Sequence, residues 1–162
     1  IPLEQVADPL TQPLLERTIS ITRAALIDKF NIAEPRLAIT GLNPHAGEGG
    51  KMGSQEVDVI IPAIESLKTN GWHLSGPHSA DTLFHQRARA SYDAVIAMYH
   101  DQALIPIKTL DFDRGVNVTL GLPFVRTSPD HGTALDIAGR GIANETSTVE
   151  ALRLAAKLGA SS

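Results

Sequence analysis

Residues 36–50 have the sequence RLAITGLNPHAGEGG, in which a largely apolar run is followed directly by a glycine-rich loop. The apolar run, Arg36–Leu42, has the length of a strand, and its composition predicts burial on both faces of a sheet. The loop, Asn43–Gly53, contains a proline and four of the chain's glycines. Glycines allow backbone shapes that side chains forbid, so this composition is typical of a loop that forms a ligand site.

Helical and strand patterns alternate on both sides of this stretch. They predict a helix from Asp8-Pro9 to about Phe30, a helix from Ser54 to Leu67 that bends at Pro62, strands at Asp93–Met98 and Val116–Leu120, and helices at Thr133–Gly139 and Ser147–Leu158. The alternation indicates an α/β layer architecture, in which ligands bind at the loops beyond the strand ends.

The composition restricts the class of protein. The 162 residues are 43% hydrophobic, which is sufficient for one globular domain. The formal net charge of -4 argues against sequence-independent nucleic-acid binding, which needs many cations facing phosphates. No run approaches the roughly 20 apolar residues of a membrane span, and cysteine is absent. We therefore expect a cytoplasmic protein that binds neither nucleic acid nor membrane. Because the chain begins at Ile1 rather than Met, we also expect it to be a piece of a larger protein.

Two histidines follow predicted strands: His45 lies in the glycine-rich loop and His100 comes after Asp93–Met98. Loops that follow parallel strands converge at one edge of a sheet, and neutral imidazole is a common ligand of zinc and similar metals. Asp101 can orient His100 or complete the metal's ligand set. The alternative is a pair of unrelated loop histidines, and the spacing alone leaves both interpretations open.

A second group of cationic and polar residues lies near predicted strand ends: Lys108, Arg114, Asn117 and Arg126. Such residues suit a phosphate or carboxylate, because Arg offers a planar fork and Lys a movable charge. The alternative for each is a solvated surface charge. For Arg114, a simple ion pair with a neighbouring aspartate is a further alternative.

The segment Asp130–Gly141 places small residues at the start of the helix predicted at Thr133–Gly139. The N-terminus of a helix favours an anion such as a dinucleotide phosphate. No Gly-x-Gly-x-x-Gly motif follows a strand, so a Rossmann site is not predicted. Residues 47–50 likewise lack the Gly-Lys-Ser/Thr ending of a P-loop.

Five motifs occur along the chain in a fixed order. They are GLNPHAGEGG at residues 41–50, ADTLF at 80–84, MYHDQ at 98–102, RGVNVTLGLP at 114–123 and RTSPDHGTA at 126–134. Together these motifs resemble the 4-hydroxythreonine-4-phosphate dehydrogenase family, and the resemblance covers essentially the whole chain.

The resemblance implies a layered α/β/α fold of the isocitrate and isopropylmalate dehydrogenase type, of which this chain is the C-terminal portion. That fold has two lobes, and residues 1–107 are expected mostly in one lobe and residues 108–162 in the other. The implied reaction is NAD(P)-linked oxidation of the secondary alcohol of 4-phosphooxy-L-threonine, followed by loss of carbon dioxide, in pyridoxal phosphate (vitamin B6) biosynthesis. A homodimer with the site near the subunit interface is also implied.

The resemblance also assigns roles to particular residues. A divalent metal (zinc, magnesium or cobalt) is held by three histidines, two of which correspond to His45 and His100. The third precedes Ile1, so this chain alone is expected to be inactive. The substrate-binding residues are Lys108, Asn117 and Arg126, and contacts to NAD or NADP fall on His131, Gly132, Thr133 and Ala134. The candidates for proton transfer are Asp81, Asp101 and Lys108, whose individual roles stay open.

Rival interpretations remain at the level of sequence. The chain can belong to a sister dehydrogenase that oxidises another phosphorylated hydroxy acid, such as a phosphothreonate or a phosphoerythronate. It can also be a non-catalytic ligand-binding or dimerisation fragment. The resemblance disfavours isocitrate or isopropylmalate dehydrogenase itself, because carboxylates, rather than histidines, hold the metal in those enzymes.

Overall fold

The computed structural model describes residues 1–160, and no helix among them combines the length and apolar character needed to cross a membrane. The helices are α1 (Gln12–Asp28), α2 (Ile61–Lys68), α3 (Gln86–Arg89), α4 (His100–Leu110) and α5 (Thr146–Gly159), and the strands are β1 (Arg36–Thr40), β2 (His73–His78), β3 (Ala94–Ile96), β4 (Val116–Thr119) and β5 (Arg126–Pro129). Short helical turns occupy Leu3–Gln5, Pro44–Gly50, Ala80–Thr82 and Leu135–Ile137.

A parallel sheet with strand order β2-β1-β3 forms the centre of the fold. β1 is the middle strand, and its residues from Leu37 to Thr40 are buried. The predicted strand and its burial on both faces are therefore confirmed, although the strand ends two residues earlier than expected. Helices and strands alternate around this sheet, which confirms the α/β class.

Two helical segments cover the sheet and close the hydrophobic core. The first segment is α1, and the second is α2 with the turn just before it. The buried core residues are Leu15, Ile19 and Leu26 in α1; Ile60, Ala63, Ile64 and Leu67 in the second segment; and Leu37, Ile39, Leu74 and Ile96 in the sheet. The helical period of the apolar positions in α1 and α2 places them on one face, so both helices bury a stripe against the strands.

Helix α1 begins at Gln12, so the start predicted at Asp8-Pro9 is wrong. The N-cap is Thr11, whose Oγ1 accepts a hydrogen bond from the N–H of Leu14 at 3.4 Å. A helix starting at Asp8 would contain Pro13 beyond its first turn, where proline clashes with the preceding turn. Starting at Thr11 puts Pro13 in the first turn, where proline is tolerated.

The irregularity predicted at Pro62 takes the form of a π-helical turn. Glu56–Ile60 has this wider geometry and leads directly into α2, with the N–H of Ile61 bonded to the carbonyl of Glu56. Proline has no N–H for the helical ladder, and the wider turn accommodates that loss just before Pro62.

Strands β4 and β5 form an antiparallel hairpin that packs against α5. Thr127 Oγ1 donates to the carbonyl of Ala151 at 2.9 Å. The buried Ser147 donates from its Oγ to the carbonyl of Gly115 at 2.8 Å and accepts from the N–H of Asp130 at 3.2 Å. The helix predicted at Ser147–Leu158 is confirmed.

The helix predicted at Thr133–Gly139 is wrong, because only the short turn Leu135–Ile137 forms there. Ala134 has a φ of +46° and Gly139 a φ of +75°, so the backbone leaves the right-handed helical region on both sides of the turn. The segment is also almost wholly exposed and has no apolar face that burial would hold in a helix.

Candidate active site at the carboxyl edge of the sheet

The carboxyl ends of the three parallel strands carry most of the predicted metal and catalytic residues. His45 follows β1, Asp81 follows β2, and His100 and Asp101 follow β3. The strands run in the same direction, so these residues lie along one edge of the sheet, where α/β proteins bind ligands. The strand ends that carry these residues therefore lie at one edge of the sheet, whereas the meeting of His45 and His100 around one metal stays a prediction.

The loop that carries His45 has an unusual backbone. His45, Ala46 and Glu48 have positive φ values of 55°, 51° and 44°, and Gly47 and Gly49 continue the same left-handed turn. Non-glycine residues avoid this region, so the surrounding contacts must hold the loop in place.

The residue that holds this loop is Glu56, a buried carboxylate that is 1% exposed. Its oxygens accept hydrogen bonds from the N–H of Asn43 at 2.8 Å and from Asn43 Nδ2 at 2.9 Å. Asn43 Nδ2 also donates to Gln55 Oε1 at 2.8 Å. Glu56 was not predicted as a site residue from the sequence. The available signal was a carboxylate on the apolar face of the predicted helix, one turn before Ile60.

A second missed residue is Gln102, in the first turn of α4. Its Oε1 accepts from Thr40 Oγ1 at 2.8 Å and from the N–H of Met98 at 2.9 Å, and its Nε2 donates to the carbonyl of Gly41 at 2.9 Å. The side chain therefore joins the ends of β1 and β3 to the helix that begins with His100.

The two predicted metal ligands lie in different pockets. His45 borders a pocket of about 240 Å³ with Asp81 and Tyr99. Asp101 Oδ1 accepts a hydrogen bond from His100 Nδ1 at 2.8 Å. His100 borders another pocket, of about 490 Å³, which Tyr99 also lines. Within residues 1–160, no three His, Asp or Glu side chains are grouped closely enough to hold a metal. The described residues alone therefore do not fit a complete metal centre.

The two candidate catalytic aspartates border one pocket. Asp81 and Asp101 line a pocket of about 370 Å³ together with Tyr99 and the apolar side chains of α4. The hydroxyl of Ser79 donates to Asp81 Oδ1 at 2.5 Å and is the main reason that the pKa of Asp81 is lowered, with a smaller contribution from His45. Asp81 is therefore ionised at neutral pH, as a proton acceptor must be.

The substrate-binding candidates are divided between the hairpin and α4. Asn117 and Arg126 are exposed on the same face of the hairpin, since Asn117 is paired with Ser128 and Arg126 with Thr119. Arg126 Nη1 donates to Thr119 Oγ1 at 2.8 Å.

Lys108 lies at the other end of the hairpin. Its Nζ donates to the carbonyl of Asp130 at 2.9 Å and lies 3.5 Å from Asp130 Oδ2. Arg114 pairs with Asp111 at 2.9 Å. The ion-pair alternative for Arg114 is therefore confirmed.

The predicted cofactor residues line a pocket that lacks the helix expected at Thr133–Gly139. His131, Gly132 and Ala134 border a volume of about 350 Å³ with Phe112 and Asn144, among others. Thr133 is exposed beside them. Because the expected helix is absent, its dipole cannot attract a phosphate here. The pocket offers a ligand the backbone and side chains of the loop, together with Ser147 in the first turn of α5.

The fold is that of an α/β protein, and its candidate ligand site lies where aspartates and histidines follow the parallel strands, with Asn117 and Arg126 on the hairpin. The family model described as pyridoxal phosphate biosynthetic protein PdxA matches residues 1–155. The chain belongs to this family.

Similar proteins carry the name 4-hydroxythreonine-4-phosphate dehydrogenase. The one from Ruegeria sp. (strain TM1040) is 66% identical over 155 residues, which cover 96% of this chain and 48% of the relative. The one from Roseobacter denitrificans (strain ATCC 33942 / OCh 114) is 66% identical over 160 residues, which cover 99% of this chain and 49% of the relative. The chain thus spans about half the length of the curated relatives it matches.

Solved structures give the same family and fold. The crystal structure of 4-hydroxythreonine-4-phosphate dehydrogenase from Klebsiella pneumoniae matches with a TM-score of 0.86 and 41% identity, covering 98% of this chain and 48% of that one. A terephthalate 1,2-cis-dihydrodioldehydrogenase from Burkholderia xenovorans LB400 matches with a TM-score of 0.75 and 32% identity, covering 95% and 48%. The α/β fold of the isocitrate dehydrogenase type is thereby confirmed.

Proposed function

We propose that this chain forms part of an NAD(P)-linked 4-hydroxythreonine-4-phosphate dehydrogenase of the cytoplasm. The enzyme oxidises the secondary alcohol of 4-phosphooxy-L-threonine and the product loses carbon dioxide, a step of pyridoxal phosphate biosynthesis. The observation that carries the proposal is the 66% identity, over nearly the whole chain, to relatives with that name. The arrangement of Asp81, Asp101, Asn117 and Arg126 around the strand ends and the hairpin supports it.

The chain is proposed to be the C-terminal portion of a two-lobed enzyme, with residues 1–107 mostly in one lobe and 108–162 in the other. His45 and His100 are proposed as two of three histidine ligands of a zinc, magnesium or cobalt ion. Since the described residues do not complete such a site, the remaining ligands must come from outside this chain. A homodimer with the site near the subunit interface is the corresponding assembly.

Substrate recognition is assigned to Asn117 and Arg126 on the hairpin and to Lys108, which lies on α4 at the opposite end of the hairpin from Arg126. Arg126 offers a planar pair of donors, and Thr119 fixes the orientation of its guanidinium through the 2.8 Å hydrogen bond. Asn117 adds a neutral amide donor on the same face of the hairpin. Lys108 contributes a positive charge whose present partner, Asp130, keeps it at the end of that hairpin.

Proton handling is assigned to the aspartates, and cofactor contacts to the loop after the hairpin. The hydrogen bond from Ser79 lowers the pKa of Asp81 and so favours its ionised form further, in which it can accept a proton or hold a donor in place. Asp101 orients the imidazole of His100. Residues 131–134 are proposed to contact NAD or NADP, whose nicotinamide accepts the hydride.

The proposal is tested by replacing Arg126 in the intact gene product and measuring reduction of NAD(P). Loss of a hydrogen bond to a charged group costs about 1.5–3 kcal/mol, so Arg126→Ala should raise KM for 4-phosphooxy-L-threonine by about 10- to 150-fold. Arg153→Ala on the exposed face of α5 is the matched control and should change KM little. An unchanged KM in Arg126→Ala would contradict the assignment of Arg126 to phosphate binding.

A sister enzyme for another phosphorylated hydroxy acid is the second candidate. The dihydrodiol dehydrogenase from Burkholderia xenovorans LB400 favours it, because a protein with a similar fold is named for a different alcohol. Comparing kcat/KM for 4-phosphooxy-L-threonine, a phosphothreonate and a phosphoerythronate distinguishes the two. A non-catalytic binding fragment is the third candidate, and it predicts no turnover of any of these compounds.

A further inference from the structure

The amide of Gln102 joins three segments that carry the proposed site. Its hydrogen-bonding partners are Thr40 at the end of β1, Gly41 at the start of the His45 loop and Met98 after β3. Each hydrogen bond measures 2.8–2.9 Å. From this junction we infer that Gln102 is a positioning residue, which fixes His100 and Asp101 relative to the loop that bears His45. The inference rests on the proposed dehydrogenase function.

The three hydrogen bonds define the orientation of the Gln102 amide, with its oxygen and its nitrogen facing different partners. The oxygen accepts from the hydroxyl of Thr40 and from the N–H of Met98, whereas the nitrogen donates to a carbonyl. Glutamate can reproduce the two accepted bonds but not the donated one, and asparagine is one methylene too short to reach. Thr40 is 0% exposed and Gly41 is buried, so water cannot readily replace the amide.

The position of Gln102 in α4 explains how its loss would reach the site. Tyr99 is at the N-cap position of the helix, and His100 and Asp101 are the first residues of the helix. The helix has no buried residue of its own, so the Gln102 amide is a major restraint on its first turn. If that turn shifts, Asp101 moves relative to Asp81 across the pocket that both aspartates line. Asn117 and Arg126 lie on the hairpin and keep their own hydrogen-bonding geometry.

The inference predicts a separation between kcat and KM in the intact gene product. A misplacement of about 1 Å at a reacting group can cost on the order of 100-fold in rate. Gln102→Met keeps the length of the side chain and removes all three hydrogen bonds. We expect its kcat to fall at least about tenfold. The KM for the phosphorylated substrate should stay within about twofold, because Asn117 and Arg126 lie on the hairpin and Lys108, near the far end of α4, keeps its own contact with Asp130.

Two further measurements separate positioning from general destabilisation. The N–H of Met98 should exchange with solvent faster in Gln102→Met, because its acceptor is lost. Gln102→Glu keeps that acceptor, so it should recover part of the protection of the Met98 N–H from exchange and part of kcat. Thr40→Val removes one partner of Gln102, together with the longer 3.4 Å contact from Thr40 to the carbonyl of Ile96, and changes no residue of α4. It should also lower kcat. Gln86→Met on exposed α3 is the matched control and should leave both readouts unchanged.

The possible outcomes distinguish this inference from the proposed function. A Gln102→Met protein that unfolds more easily but keeps the wild-type kcat overturns the inference, as does a rise in KM with kcat unchanged. If Gln102→Met does not fold, an unchanged kcat in Thr40→Val overturns it instead. A wild-type protein that oxidises none of the phosphorylated hydroxy acids overturns the proposed function and the inference together.

Discussion

Replacing Gly47 by alanine should destabilise the protein more than the same change at Gly49, two residues along the same loop. Both glycines have positive φ, 74° and 67° respectively, so each substitution carries a backbone penalty of about 1–2 kcal/mol. The surroundings differ. A Cβ at Gly47 would lie 2.5 Å from Glu56 Oε2, whereas a Cβ at Gly49 would meet nothing within 4 Å.

The contact at Gly47 adds a steric cost because Glu56 cannot easily move away. Its carboxylate is buried and bonded twice to Asn43. Overpacking of this kind costs about 1–3 kcal/mol. The total for Gly47→Ala is therefore about 2–5 kcal/mol, against about 1–2 kcal/mol for Gly49→Ala.

Denaturant unfolding of the intact gene product measures both values, provided that the m-values stay equal. A third protein, Glu56→Ala, allows the cause to be tested. In that background the extra loss from Gly47→Ala should disappear, because the clashing carboxylate is gone. Equal losses for Gly47→Ala and Gly49→Ala, or an extra loss that persists without Glu56, would refute the assignment of Glu56 as the residue that holds this loop.

Three further predictions concern charge and the cofactor pocket. The guanidinium of Arg36 lowers the pKa of Asp93 through a hydrogen bond. The contribution of this pair to stability is therefore complete above the ordinary aspartate pKa and is lost as the pH falls through the lowered value. Asp93→Asn should remove that part of the acid dependence, measured by unfolding between about pH 2 and pH 6. Ser79→Ala should raise the pKa of Asp81 toward its ordinary value, and an unshifted carboxyl titration in nuclear magnetic resonance would contradict this. Ala134→Leu should raise KM for NAD(P) but not for the substrate, because the added atoms enter the proposed cofactor pocket; equal effects on both would argue against that pocket.

The parts of the fold that sequence predicted are those with a strong local pattern. The apolar run at Arg36–Leu42 predicted β1, and the helical spacing of apolar residues predicted α1, the segment ending in α2, and α5. Each of these segments buries apolar residues in the structure, including Leu37 and Ile39 in β1, Ile19 and Leu26 in α1, Ile60 and Ile64 in the segment ending in α2, and Ala151 and Leu158 in α5. Local sequence and tertiary packing therefore favour the same conformation. The buried face was predicted less well than the helix itself, since Leu14 of α1 and Leu152 of α5 are exposed.

The missed elements have weak or conflicting local patterns. β2 contains Gly76-Pro77, α4 contains Pro106, and β5 has only four residues and ends in a proline. Proline and glycine argue against regular structure in a single sequence. These segments form because neighbours hold them, as Gln102 does for α4 and the carbonyl of Ala151 does for Thr127.

The candidate site divides in the same way. Residue type and strand-end position predicted His45, His100 and Asp101 at one edge of the sheet. Asp81 was named only through the resemblance to the family, because β2, the strand that precedes it, was missed. Glu56 and Gln102 could not be predicted as site residues, because their roles depend on partners 13 and up to 62 residues away in the chain. Such partners become visible only when the strands are placed side by side.

The central claim is that this strand-end site serves the oxidation and decarboxylation of a phosphorylated amino acid. The most direct test is to incubate the intact gene product with 4-phosphooxy-L-threonine, a divalent metal and NAD or NADP, and to measure reduced cofactor and carbon dioxide together. The account predicts that both form in equal amounts. Formation of neither product by folded protein, from this compound or from the other phosphorylated hydroxy acids, would contradict it.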